Sequence, residues 1–114
     1  MISPQILTIL SKNEIALFCQ RWKISELALF GSVLRDDFRA ESDIDVLVAF
    51  HPSADWGLFD HVQMEQELKT IFRRNVDLIT RRAVERGQNK SMREEILSTT
   101  RVIYSERDDV HVER

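Results

Sequence analysis

The chain has 114 residues, of which 43% are hydrophobic and 31% are charged, and its formal net charge is −3. One domain with a single core fits this length, the composition excludes wholesale disorder, and the small net charge gives no reason to expect direct nucleic-acid binding. Because no apolar run could span a membrane, the N-terminus lacks a secretory-signal pattern and Cys19 is the single cysteine, we expect a cytoplasmic protein without a disulfide.

The N-terminal region is predicted to form two helices. Ser3-Pro4 is typical of a helix start and predicts a short helix through Leu10. Ser11 and Glu14 have the spacing of a capping box, which predicts a second helix that ends near Lys23.

Two strands are predicted next, with a glycine and a helical turn between them. The apolar run Leu27–Phe30 predicts a short buried strand that leads into Gly31. A turn or two of helix is expected over residues 33–38, and a second strand over residues 43–50.

The second half of the chain continues the alternation. After a loop that contains Pro52 and Gly57, apolar residues at helical spacing predict an amphipathic helix from Leu58 to Phe72. The remaining predicted elements are a strand at Val76–Thr80, helices near Arg82–Arg86 and Lys90–Leu97, and an edge strand at Arg101–Tyr104. The predicted fold class is therefore α/β (α+β), a small mixed β-sheet with helices packed on it. We expect one domain over residues 1–104 and a charged, flexible tail over residues 105–114.

Two acidic residues share one face of the second predicted strand. Side chains alternate along a strand, so Asp43 and Asp45 point one way while Ile44, Val46 and Val48 point the other way. Neighbouring carboxylates resist joint ionisation unless a cation lies between them. The pair is therefore costly as scaffolding but useful as a ligand set for a hard divalent ion such as Mg²⁺.

A third acid and a glycine–serine step complete the candidate site. Asp77 lies within its own apolar strand and is a candidate third ligand. Gly31 lets the backbone approach a phosphate, and Ser32 offers a hydroxyl and an N–H where anions are favoured. Arg35, one turn later, could reach the same phosphates, although an ion pair with a neighbouring acid is its alternative. Such a set suits a polyphosphate carried by two metal ions.

Each of these residues also has a purely structural explanation. An isolated Asp-x-Asp on an exposed strand is usually solvated, Gly31 alone predicts a turn, and Ser32 alone predicts a helix cap. Asp77 alone could be a helix or turn partner. The occurrence of all these residues at this spacing favours a metal site over the separate structural explanations. The three histidines lack metal-ligand spacing and are expected at the surface.

The residues of this site resemble those of a known family. Phe30-Gly31-Ser32, followed after ten residues by Asp43-x-Asp45, is similar to the signature of the minimal nucleotidyltransferases in the DNA polymerase beta superfamily. Val76–Thr80 looks like the family's other metal-binding strand, and the likeness runs from about residue 15 to residue 104. Arg35 matches a frequent basic position, although Asp36 stands where members often carry glycine.

The resemblance implies roles for the site residues. The cofactor would be Mg²⁺, as two ions, and the substrate would be ATP. The catalytic, metal-binding residues would be Asp43, Asp45 and Asp77. The residues that bind the nucleotide phosphates would be Gly31, Ser32 and Arg35.

The same resemblance implies a partner. Stand-alone proteins of this size are similar to the antitoxins of HEPN/MNT toxin–antitoxin modules, which transfer AMP from ATP to a tyrosine of a helical HEPN toxin. We therefore expect a protein adenylyltransferase that forms a hetero-oligomer with a cognate HEPN toxin, which supplies the acceptor hydroxyl. Two alternatives remain open: a non-catalytic module that neutralises its partner by binding alone, and an enzyme that modifies a small molecule.

Overall fold

The computed structural model describes residues 12–31, 43–106 and 109–110. The strands are β1 (Ile24–Phe30), β2 (Ile44–Phe50), β3 (Val76–Thr80), β4 (Arg101–Ser105) and the short β5 (Asp109–Val110). The helices are α1 (Lys12–Arg21), α2 (Leu58–Phe72), α3 (Arg81–Arg86) and α4 (Lys90–Thr99). The helices predicted before residue 11 and over residues 33–38, together with Ser32 and Arg35, lie outside the described residues.

The strands form one mixed sheet in the order β3-β2-β1-β4-β5. β2 and β3 are parallel, whereas β1 pairs antiparallel with both β2 and β4. A parallel pair needs a crossover connection, and α2 supplies it between β2 and β3. The predicted fold class, a small mixed sheet with packed helices, is confirmed.

β1 begins three residues earlier than predicted, at Ile24 rather than Leu27. The polar residues Ser25 and Glu26 concealed this start, but both find partners in the fold. The Ser25 hydroxyl donates to the Ala49 carbonyl at 3.2 Å, and Glu26 forms an ion pair with Arg81 at 3.2 Å. β1 therefore continues through these polar residues, although its register against β2 shifts between Ile24 and Glu26.

The prediction that β4 is an edge strand is wrong. β4 extends to Ser105 and pairs with β5 on the side away from β1, with Tyr104 opposite Val110. The Glu106 N–H also donates to the Ser25 carbonyl at 3.0 Å. The charged composition after residue 104 predicted a free tail, but backbone pairing requires no apolar side chain, so part of that segment joins the sheet.

The sheet has a large core on one face and a small core on the other. Ile44, Val46 and Val48 are fully buried on the first face, against side chains of α1 and α2. Cys19 of α1 is buried there too, and burial raises the pKa of its thiol. The opposite face carries the smaller cluster of Ala28, Phe30, Leu47 and Val84, which is joined by apolar side chains of α4.

The ends of the helices follow from local chemistry. α2 has the predicted bounds and begins after Gly57, whose N–H donates to the Asp60 carboxylate at 2.9 Å. Thr80 caps α3 and Asn89 caps α4, each by accepting a backbone N–H with its side chain. No helix in the described part of the chain is long and apolar enough to cross a membrane.

Candidate active site

Asp45 and Asp77 lie side by side on the sheet. The parallel register of β2 and β3 pairs them directly, which places the two backbones about 4.8 Å apart. Both side chains project to the face opposite the large core. Asp77 is exposed and Asp45 is half-buried, so neither lies in the hydrophobic interior. The fold therefore brings together two carboxylates that are far apart in the sequence.

Asp43 immediately precedes β2 and is exposed. The Ile44 N–H donates to the Asn75 carbonyl at 2.9 Å, so the bonding between β2 and β3 starts at the first residue of β2. This bond anchors the chain next to Asp43 beside the start of β3. Asp43 and Asp45 each take part in a further polar or electrostatic interaction.

Gly31 lies directly against the Asp45 carboxylate. Its φ of +74° is in the left-handed region, and a Cβ built there would collide with Asp45 Oδ2 and lie 3.2 Å from Cγ. Phe30, the preceding residue, pairs with Asp45 across β1 and β2. Gly31 is thus required for its backbone conformation and for the space that the carboxylate occupies. Its predicted contact with phosphate stays a prediction.

The donor chemistry of these residues suits a hard divalent ion. Carboxylate oxygens are the ligands that Mg²⁺ prefers, and the fold pairs two of them with a third nearby in the sequence. Within residues 12–31 and 43–106, however, no three His, Cys, Asp or Glu side chains are arranged to hold a metal ion. The structure thus supplies the backbone positions rather than a closed ligand set, and the metal role of Asp43, Asp45 and Asp77 stays a prediction.

Two side chains of α2 hold the outer edge of β3. The Leu78 N–H donates to Glu65 Oε2 at 3.0 Å, and the His61 imidazole N–H donates to the Leu78 carbonyl at 3.1 Å. These bonds occupy edge groups that have no neighbouring strand. We call Glu65 and His61, with their two bonds to Leu78, the clamp. Because Leu78 follows Asp77, the clamp also fixes the backbone that carries the Asp77 carboxylate.

The sequence did not predict this clamp. His61 was expected at the surface, whereas its side chain is only partly exposed and contacts β3. The spacing of His61 and Glu65, four residues apart on one helix, shows that they share a face. It gives no sign that this face meets the edge of a strand.

Comparison with known proteins places the chain in a family. The model of the nucleotidyltransferase domain matches residues 13–103, a span that includes Gly31 and all three aspartates. MJ1379 of Methanocaldococcus jannaschii, whose name provisionally assigns it to the protein adenylyltransferases, is 31% identical over 93 residues, covering 82% of this chain and 92% of the relative. The protein adenylyltransferase MntA of Thermococcus cleftensis is 29% identical over 80 residues, covering 68% of this chain and 77% of the relative.

Solved structures share the fold. A structure provisionally identified as a minimal nucleotidyltransferase superposes with a TM-score of 0.61 and 28% identity, covering 79% of this chain and 86% of the other. A toxin–antitoxin complex crystallised with AMP-PNP gives a TM-score of 0.64 at 20% identity, covering 88% of this chain and 78% of the other. The chain therefore belongs to the nucleotidyltransferase domain family, as an enzyme of the minimal nucleotidyltransferase type, which confirms the resemblance drawn from its Gly-Ser step and aspartates.

Proposed function

We propose that the chain is a Mg²⁺-dependent protein adenylyltransferase that transfers AMP from ATP to a tyrosine of a HEPN-type partner. It would act in the cytoplasm as the antitoxin of that partner. The observation that carries this proposal is the direct pairing of Asp45 with Asp77 on an exposed face, with Gly31 against the Asp45 carboxylate. Relatives named as protein adenylyltransferases support it. So does the fold shared with an MNT antitoxin bound to a tri-AMPylated HEPN toxin of Shewanella oneidensis, at a TM-score of 0.55.

The proposed reaction joins a hydroxyl oxygen to the α-phosphorus of ATP. The bond from that phosphorus to the oxygen bridging the α- and β-phosphates breaks, pyrophosphate leaves, and the hydroxyl loses its proton. Bound Mg²⁺ would neutralise the charge that builds up on the phosphates. Asp43 and Asp45 would hold the ions that carry the triphosphate, and Asp77 would help to draw the proton from the hydroxyl. Gly31 leaves its backbone open to a phosphate oxygen.

The acceptor is proposed to come from another protein. Asp43 and Asp77 are exposed, so an incoming hydroxyl can reach this end of the sheet from solvent. The only tyrosine of the chain, Tyr104, is 4% exposed within the large core. It is therefore not available as an acceptor in the folded chain, which supports an acceptor tyrosine on a partner.

Labelled-ATP transfer tests the proposal. The chain is incubated with α-labelled ATP, Mg²⁺ and the purified product of the adjacent gene, which the proposal expects to be a HEPN-type protein. We expect label on a tyrosine of the partner, located by peptide mass spectrometry. Asp45→Asn should reduce the transfer rate by about a hundredfold or more, because it removes a charge from the proposed metal site. Chelation of the metal should stop transfer, and added Mg²⁺ should restore it.

The same assay separates the alternatives. Equal labelling by the wild type and Asp45→Asn would exclude the proposed role of Asp45. If neither protein transfers AMP and both still block the nuclease activity of the partner, the chain is an interaction module that acts by binding alone. Label on a small molecule rather than on the partner would indicate the second alternative.

A further inference from the structure

The start of α2 carries an apolar surface without a partner among the described residues. Leu58, Phe59 and Val62 are 75%, 88% and 45% exposed, and we call these three residues the α2 patch. The exposed face of the helix continues with Gln63 and Gln66, which carry no charge. In a chain with 31% charged residues, this uncharged strip has the composition of the centre of a protein interface, where charged residues are depleted.

A pocket of about 350 Å³ opens beside the α2 patch and shares Leu58 with it. Phe50, Trp56 and Met64 line it together with His61, so most of its wall is apolar. Its volume falls in the range of small-ligand pockets, roughly 300–1,000 Å³. The pocket can therefore accept one large side chain of a partner. Interfaces commonly place their strongest contact in such a pocket, with weaker contacts around it.

Three acidic side chains lie beside the α2 patch, and Lys23 Nζ lies 6.0 Å from the ring centre of the pocket residue Trp56. Asp55, just before α2, is exposed, and Asp60 and Glu65, both on α2, are half-buried. Within the described residues none of these three acids forms an ion pair with a lysine or arginine. A symmetric dimer through this surface would bring the acids close to their own copies, which is unfavourable. A partner with basic residues beside its apolar contact has the complementary charge.

We infer that the α2 patch and its pocket dock the acceptor protein through an amphipathic helix with a large apolar anchor and flanking basic side chains. Exposed positions spaced along one helix present a ridge against which a second helix can pack. The inference rests on the proposed function for the identity of the partner, a helical HEPN-type protein. It adds the surface that this partner uses.

The proposed docking pocket and the candidate active site then lie at opposite ends of β2 and β3. The pocket is lined by Phe50 and Thr80, the last residues of β2 and β3, whereas Asp45 and Asp77 lie near their beginnings. Phe50 lies five positions after Asp45 in β2, about 16 Å along a strand, and Thr80 lies three positions after Asp77 in β3, about 10 Å. A change in the α2 patch should therefore weaken partner binding without changing the chemical step.

Two lysine variants test this separation. Phe59→Lys places a positive charge in the α2 patch, and Leu17→Lys makes a similar change at a site on α1 that is 65% exposed. Calorimetry measures the binding of each variant to the purified HEPN-type protein without ATP or metal. We expect Phe59→Lys to raise Kd at least tenfold and Leu17→Lys to change it less than twofold. In AMP transfer, Phe59→Lys should raise KM for the partner and leave kcat at saturating partner unchanged.

A further variant tests the contribution of acidic charge to partner binding. Asp55→Lys should raise Kd several-fold at low salt, and the difference from the wild type should shrink as salt is added, because screening weakens exposed charge pairs. Equal affinity of Asp55→Lys and the wild type at low salt would contradict the basic character assigned to the partner helix.

The outcomes separate this inference from the proposed function. Unchanged binding and KM in Phe59→Lys, with normal AMP transfer, would overturn the inference and leave the proposed function intact. Loss of binding in Phe59→Lys, with no AMP transfer even by the wild type, would support the docking surface and refute the enzyme. A dimer of the chain alone that Phe59→Lys dissociates, seen by sedimentation velocity, would show that a second copy occupies the surface and overturn the inference.

Discussion

In β2, Ile44, Val46 and Val48 are fully buried against α1 and α2, whereas Asp45, between two of them, is half-buried on the opposite face. The first face holds the large core, and the second holds the small core together with the candidate active site. Alternate residues of β2 thus serve two different purposes. A substitution on the face of the large core should lower the stability of the fold, whereas a substitution on the face of the candidate active site should lower the rate of AMP transfer.

The largest effect on stability is expected from Phe72→Ala in the large core. Phe72 is fully buried at the end of α2, and removing such a ring costs about 3–5 kcal/mol of unfolding free energy. Phe59→Ala is the matched control, since Phe59 is on the same helix but 88% exposed, and it should change stability by less than about 0.5 kcal/mol. Urea unfolding measures both. Similar losses in the two variants would contradict the assigned position of the core.

The reverse behaviour is expected from Asp77→Asn on the active face. AMP transfer should fall by about a hundredfold or more, while the free energy of unfolding should stay within about 0.5 kcal/mol, because the side chain is exposed. Glu94→Gln, an exposed acid on α4, should alter neither quantity. An Asp77→Asn protein that unfolds much more easily but transfers AMP normally would reverse the assignment of the two faces.

Gly31→Ala should affect both properties. The added methyl group meets the Asp45 carboxylate, and the backbone at φ +74° is unfavourable for alanine by about 1–2 kcal/mol. We therefore expect a loss of stability of that order and a drop in AMP transfer. Gly57→Ala is the control: its φ of −97° suits alanine, and the nearest atom outside the adjacent residues, Asp60 Oδ2, would lie 4.0 Å from the new Cβ. Equal tolerance of the two changes would contradict the contact between Gly31 and Asp45.

The smallest effect is expected at the clamp on β3. Glu65→Ala removes the acceptor for the Leu78 N–H, and losing such a bond costs about 1 kcal/mol. Glu65→Gln keeps an oxygen acceptor and should restore most of this loss. Hydrogen exchange of the Leu78 amide offers a local measure, with faster exchange expected in Glu65→Ala than in Glu65→Gln. Unchanged protection in Glu65→Ala would show that the bond does not hold the strand.

Local patterns of apolar and polar residues were enough to predict most of the observed helices and strands. The loop with Pro52 and Gly57 and the apolar spacing after it predicted α2, and the alternation in residues 43–50 separated the buried side chains of β2 from Asp45. These predictions succeed because the periods of helices and strands are properties of the backbone. The start of β1 was missed because Ser25 and Glu26 are satisfied by residues distant in the sequence. The pairing of β4 with β5 was missed because backbone bonds between strands leave no clear mark in side-chain composition.

By itself, the sequence determined which residues could do chemistry: the Gly-Ser step, Asp43 just before β2, Asp45 in β2 and Asp77 in β3, together with the strands that carry them. Only the tertiary structure decided that Asp45 pairs with Asp77, that Gly31 lies against Asp45, and that Glu65 and His61 hold the outer edge of β3. The tertiary structure also decided the location of the pocket beside the α2 patch. The physical reason is that periodicity fixes the face of a strand, whereas register and edge contacts depend on how distant segments pack together.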